Sequence, residues 1–150
     1  MSSVRWTVVV LLFFAVTINY VDRAVIGVLK PLLDEALGWD QKDYGWMVTA
    51  FQAAYAVGYA VSGRLLDRFG IRLGFSVAVA LWSVAAMAHG AMTTVVGFSA
   101  ARAALGLAEG GTLPAAVKAV SEWFPKEQRA FATGVFNAGS NVGAITCPIV

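Results

Sequence analysis

Charge is what this chain has least of. Asp, Glu, Lys and Arg make up 13% of its 150 residues, against about a quarter in an ordinary soluble domain. Hydrophobic residues reach 59% and the mean hydropathy is +0.70. That combination excludes a conventional water-soluble globule. The net charge is only +2, so no strongly basic surface points to nucleic acid. A single cysteine, Cys147, excludes an intramolecular disulfide and leaves the redox compartment unread. A single histidine, His89, has no second histidine or thiol beside it for a metal site or a base–nucleophile pair. Enzymatic chemistry is therefore the weakest of the function classes, and no metal or organic cofactor is expected.

Long apolar runs are what the chain does have, and its few charges cluster between them. Five runs approach the ~20 residues that a helix needs to cross a bilayer: Trp6–Leu29, Tyr44–Val61, Leu73–Thr94, Val95–Val120 and Ala130–Val150. Trp39, Trp46 and Trp123 lie near their ends, where indole rings favour the interface. The first run follows Arg5 but is too long for the core of a signal peptide, contains Asp22 and Arg23, and lacks a small-residue cleavage site. It reads as a retained span. The fold expected is an all-α polytopic membrane helix bundle.

Basic residues set the expected orientation. Arg5, Arg64, Arg68, Arg72, Lys118, Lys126 and Arg129 fall on one side. Lys30 and Lys42 fall on the other, outnumbered there by Asp34, Glu35, Asp40 and Asp43. The positive-inside rule puts the N-terminus in the cytoplasm and residue 150 outside.

Charges inside the runs carry the chemistry. Arg102 and Glu109 are seven residues apart in the fourth run, on one helical face and roughly 10 Å apart along the axis. An ionised side chain at the bilayer centre costs about 3 kcal/mol or more, so that face must turn to protein or to a water-filled cavity. The first run contains Asn19-Tyr20-Val21-Asp22-Arg23. Asn19 shares a face with Asp22 and Arg23, and Tyr20 shares one with Arg23. Two readings of these charges stand. In one, Asp22 neutralises Arg102 and Arg23 neutralises Glu109, a static brace. In the other, Arg23 or Arg102 grips a substrate carboxylate through its planar fork while Asp22 or Glu109 gains and loses a proton.

The remaining polar positions are open to both uses. Gln52, Tyr55 and Tyr59 share a face of the second run, suited to the hydroxyls of a sugar acid or to aromatic packing; Tyr55 is nearest mid-depth. In the fifth run Gly139 and Gly143 form a small-residue stripe, while Asn137, Ser140 and Asn141 can bond a sugar or a neighbouring helix. Gly110, Gly111 and Pro114 predict a bend beside Glu109. Glu122 to Arg129 reads as a short connector whose charges form weak surface pairs.

The connection Gly63-Arg-Leu-Leu-Asp67-Arg68-Phe-Gly70-Ile-Arg72 reads as a tight, glycine-turned loop with arginines at the headgroups. It resembles the signature G-x-x-x-D-R-x-G-x-R-R of the major facilitator superfamily, with Leu73 in place of the last basic residue. Arg102-x-x-x-Gly106-x-x-Glu109-Gly110 resembles the family's second signature, and Asn19 to Arg23 is similar to its anion:cation symporter branch. Pro114 to Pro125 and Phe136 to Ala144 look most like the hexuronate transporters of that branch.

The resemblance implies two six-helix halves with alternating access around a midplane site, of which residues 1–150 supply five helices of the N-terminal half. A stop at the edge of the fifth run is then expected of a piece of a longer transporter. By resemblance, Gly63, Asp67, Arg68, Gly70 and Arg72 form a cytoplasmic gate braced against the absent C-terminal half. Tyr20, Arg23, Tyr55, Arg102, Ser140 and Asn141 contact substrate, and Asp22 and Glu109 couple protons. The expected function is proton-coupled uptake of an organic anion, a hexuronate or related sugar acid, across the plasma (inner) membrane. Another carboxylate such as galactonate or tartrate is the alternative cargo, and a non-transporting membrane scaffold the alternative class.

Overall fold

The computed structural model describes residues 2–149; Val150, the last residue of the expected fifth span, lies outside them. The described residues are helical with no strand. In order they form α1 (Ser2–Leu37), α2 (Gln41–Phe69), α3 (Ile71–Ala88), a 3-10 turn (His89–Ala91), α4 (Val95–Glu109), α5 (Thr112–Trp123), α6 (Lys126–Thr146) and a second 3-10 turn (Cys147–Ile149).

Local chemistry sets the boundaries. α1 runs past the expected Leu29 and through Pro31, and ends where Gly38 takes φ +68° with its N–H on the Asp34 carbonyl at 3.0 Å. α2 opens on a capping box. The Asp40 carboxylate accepts from the Lys42 and Asp43 amides at 2.7 and 2.9 Å, and the Asp43 carboxylate accepts from the Asp40 amide at 3.1 Å. Chiefly the Asp43 amide bond, and beyond it the Lys42 amide and the lysine charges, hold the Asp40 carboxyl below its ordinary range against the opposing pull of burial. Thr94 caps α4 by accepting from the Gly97 amide at 3.1 Å.

The connection expected as a glycine loop between α2 and α3 is instead a single-residue corner. Helix α2 persists through Gly63, Asp67 and Arg68 to Phe69. Only Gly70 breaks it, at φ 77° and ψ 160°, a region that side-chain-bearing residues do not enter without strain. No close helix approach is made at Gly63, since a methyl group there would meet nothing within 4 Å. Gly74 makes it, 2.8 Å from Leu66 Cδ2 by the same measure.

Contacts divide the chain into two compact units, Met1–Val28 with Ala115–Val150, and Leu29–Pro114. In the first, Trp6 packs edge-on against Phe124 at 5.2 Å and Phe131 at 5.8 Å. Arg129 donates to the Phe124 and Ser121 carbonyls at 2.9 and 2.7 Å. It therefore caps the end of α5 rather than making the surface ion pair expected of this connector. In the second, α2 and α4 pack backbone to backbone, α3 lies along α4, and Trp39 and His89 meet Phe98 edge-on at 5.0 and 5.1 Å.

Val4–Leu37 and Ile71–Ala91 are long and apolar enough to cross a membrane by length and composition. The other expected spans have specific reasons for a weaker signal. α4 stops after 15 residues at Glu109, α2 is diluted within Tyr44–Val61 by Gln52, by Tyr44, Tyr55 and Tyr59 and by small residues, and α6 carries Asn137, Ser140 and Asn141.

Candidate functional site

In the second unit the site is built on α4. Arg102 lies mid-helix and is 4% exposed; Glu109 is the last residue and is 0% exposed. What brings them inside is glycine. A methyl group on Gly106 would collide with the Phe51 carbonyl, and one on Gly58 with the Leu107 carbonyl. On Gly110 it would stand 2.6 Å from the Tyr59 nitrogen and 2.7 Å from the Tyr55 oxygen. The backbones therefore touch, and at Gly110, the residue after Glu109, the end of α4 lies against the α2 backbone at Tyr55 and Tyr59. The Tyr55 ring stacks on Phe51 at 6.0 Å and meets Tyr59 at a tilt of 35° and 6.4 Å. The ladder runs from buried Phe51 through half-buried Tyr55 to exposed Tyr59, and Gln52 is exposed.

Immediately past Glu109 the helix is interrupted. The expected fourth span is two helices, with Gly110 and Gly111 as the turn between them and Pro114 in the first turn of α5. Proline is tolerated at that position because the first amides of a helix have no internal partner. A broken helix at an ionisable residue is a recurrent way of building a site inside a membrane protein.

In the first unit the site is built on α1. The Arg23 guanidinium carbon sits 5.2 Å from the centre of the Tyr20 ring, within cation–π range. Asp22 and Arg23 are half-buried, Tyr20 is exposed and Asn19 is buried. Helix α6 approaches α1 closely here. A methyl group on Gly139 would stand 2.5 Å from the Phe13 carbonyl, and one on Gly143 would strike the Thr17 carbonyl and lie 2.8 Å from Tyr20 Cβ. Ser140 and Asn141 lie between these two contacts in sequence. The Ser140 hydroxyl donates to the Asn137 carbonyl at 2.7 Å, so its proton is committed within its own helix while its lone pairs stay available. Asn141 is exposed.

The four charges singled out from the sequence thus fall two to each unit, each unit holding one arginine and one carboxylate. Asp67, Arg68 and Arg72 are exposed at the α2–α3 corner, with the Arg68 guanidinium 5.7 Å from the Phe69 ring. His89 is engaged through Nδ1 with the Ala85 carbonyl at 2.8 Å, and Cys147 Sγ donates to the Val21 carbonyl at 3.7 Å. No group of three or more His, Cys, Asp or Glu side chains gathers among the described residues. Sequence reasoning passed over Thr112, 4% exposed just beyond the helix break. Its one signal is its position directly after the Glu109-Gly-Gly run.

The profile of the Major Facilitator Superfamily matches residues 12–150. The hexuronate transporter of Escherichia coli K12 is 35% identical over 147 residues, 98% of this chain and 34% of its own length. The galacturonate transporter of Dickeya chrysanthemi is 32% identical over 147 residues, 98% of this chain and 43% of its own. The probable L-galactonate transporter of Escherichia coli K12 is 32% identical, again over 98% of this chain. The chain thus spans about a third of the length of the first of these relatives. A crystal structure of a bacterial homolog of the human lysosomal transporter Spinster, inward-facing and unoccupied, superimposes with a TM-score of 0.84 at 24% identity. It covers 95% of this chain and 30% of that one, and the likeness is one of fold.

Proposed function

The chain belongs to the Major Facilitator Superfamily, and from that premise we propose that it forms the N-terminal transmembrane part of a secondary transporter that takes up a sugar acid together with protons. A C-terminal part, outside residues 1–150, completes the transporter. Hexuronates such as glucuronate or galacturonate are the favoured cargo, supported by relatives named for hexuronate and galacturonate that match 98% of this chain. Galactonate is the second reading, supported by a relative named for it.

The observation that carries the mechanism is the complete burial of Glu109 at a helix break. Ionisable groups persist inside membrane helices where they serve an ion or substrate pathway. Arg23 and Arg102 offer planar forks that match a carboxylate with two parallel hydrogen bonds. Tyr20, Tyr55, Ser140 and Asn141 supply hydroxyl and amide groups suited to a sugar ring. Asp22 and Glu109 carry the protons. A carboxyl changes charge state when its neighbours change, and an arginine turning towards an incoming substrate carboxylate is such a change. Gly63, Asp67, Arg68, Gly70 and Arg72 form the cytoplasmic gate. The N-terminus faces the cytoplasm of a cell whose plasma (inner) membrane holds the protein.

The test is uptake in the full-length protein. Glu109→Gln is expected to abolish proton-driven accumulation while leaving sugar-acid binding measurable, and intact proton-coupled uptake in that variant would remove Glu109 from the coupling role. Arg23→Lys keeps the charge but loses the fork, so uptake should fall about tenfold or more in a protein that still folds. Loss of stability in step with uptake would favour the scaffold reading instead.

A further inference from the structure

Five polar or charged side chains are buried among the described residues: Asn19, Ser62, Arg102, Glu109 and Thr112. Buried polar groups in membrane helices are normally satisfied from within. The helical hydroxyls of this chain show how. Thr17 donates to the Phe13 carbonyl, Ser62 to Tyr59, Ser83 to Val79, Ser121 to Lys118 and Thr146 to Val142, all between 2.7 and 2.9 Å. Asn19 and Thr112 break the pattern: Thr112 Oγ1 has no hydrogen-bond partner, and neither has Nδ2 of Asn19, a side chain that is 3% exposed. The Asn19 amide donor makes no bond to the preceding turn, although asparagine can reach it, so it is left free for a group from outside the helix.

Its position says which group. Asn19 precedes Asp22 by three residues and Arg23 by four, which puts all three on one face of α1, with about 5–6 Å between neighbouring Cβ positions. The Arg23 guanidinium on that face already leans over the Tyr20 ring. We propose that Asn19 is a further substrate-binding residue, whose amide hydrogen-bonds a ring hydroxyl of the sugar acid while Arg23 holds the carboxylate. This rests on the reading of Arg23 as the carboxylate ligand. One helical turn matches the reach from the carboxylate of a hexuronate to a hydroxyl farther round its ring. A hydroxyl both donates and accepts, so it satisfies the amide whichever end the amide presents. The neutral Asn19 therefore reads the sugar where the cationic Arg23 reads the acid. A carboxylate lacking the hydroxyl would leave the amide unsatisfied, which is a strong basis for rejection.

The experiment is a substrate-and-residue cycle on the full-length protein. Uptake of glucuronate, galacturonate and a set of their mono-deoxy analogues is measured in the wild type, in Asn19→Leu and in Asn19→Ala. Wild type is expected to disfavour one deoxy position by about tenfold in KM. Both variants should raise the KM of the parent acid by about the same factor and lose the discrimination at that one position. Asn19→Ala guards against misfolding of the bulkier apolar variant. If both variants keep the wild-type discrimination, or depress transport of every analogue alike with KM unchanged, the assignment of Asn19 is overturned and the sugar-acid reading survives. If wild type transports none of these acids, both fall together.

Discussion

The two units solve the same packing problem and put it to different uses. Each presses two helices together through glycines at which a methyl group would strike a backbone carbonyl: Gly58, Gly106 and Gly110 between α2 and α4, Gly139 and Gly143 between α1 and α6. In the second unit that contact draws Arg102 and Glu109 into the interior, at 4% and 0% exposure. In the first it leaves Asp22 and Arg23 half-buried and Tyr20 exposed. The same small-residue device therefore yields a sealed pair of charges in one place and an approachable pair in the other. Close packing alone does not make a binding surface. What differs is where the charge lies relative to the contact, on the packed face or beside it.

The contrast is sharpest in stability. Arg102→Ala withdraws a buried cation from its surroundings and is expected to cost about 3–5 kcal/mol, whereas Arg23→Ala should cost less than about 2 kcal/mol. Thermal unfolding of the purified protein in detergent reads both, and equal losses would break the distinction between sealed and approachable charge.

The packing device itself should respond alike in both units. Gly110→Ala and Gly143→Ala each place a methyl group against backbone and should destabilise by about 1–3 kcal/mol. Gly111→Ala meets Ser62 Cβ at 3.4 Å and the Ala108 carbonyl at 3.8 Å, both ordinary contacts, and should be near neutral. Gly134→Ala faces open space within α6 and should gain about 0.5–1 kcal/mol. A loss at Gly110 with none at Gly143 would mean that only one contact is tight.

The smallest effect concerns acid. Asp40 caps α2 in the second unit with its carboxyl held below the ordinary range, while α6 in the first opens on Pro125 with no side-chain cap. A depressed native value means the contribution is complete above the ordinary carboxylate range and is lost as pH falls through the native one. Protection of the Lys42 and Asp43 amides, measured as exchange relative to the intrinsic rate at each pH, should therefore fall on acidification through that window, with no matching change at the start of α6.

Membership of a helical membrane family was legible in the chain because it rests on local facts. Apolar run length, the clustering of charge between runs, and the spacing of Gly63, Asp67 and Gly70 all survive without knowledge of any contact. The bend beside Glu109 was legible for the same reason, since Gly110, Gly111 and Pro114 carry their backbone preferences with them. The α2–α3 connection was misread as a loop because Arg64, Asp67 and Arg68 look like surface residues. A helix that continues beyond the bilayer carries such residues as readily as a loop does, and only Gly70 departs from helical geometry.

What the chain alone determined is the set of chemical groups offered inside the bilayer and the helices that carry them, because periodicity and backbone preference act over a few residues. Which groups are sealed was decided by tertiary packing. The depth of Glu109, the isolation of the Asn19 amide and the capture of the α5 carbonyls by Arg129 depend on how closely two backbones approach. That approach is a property of pairs of helices, set where glycines on one meet carbonyls on another, and no single segment contains it.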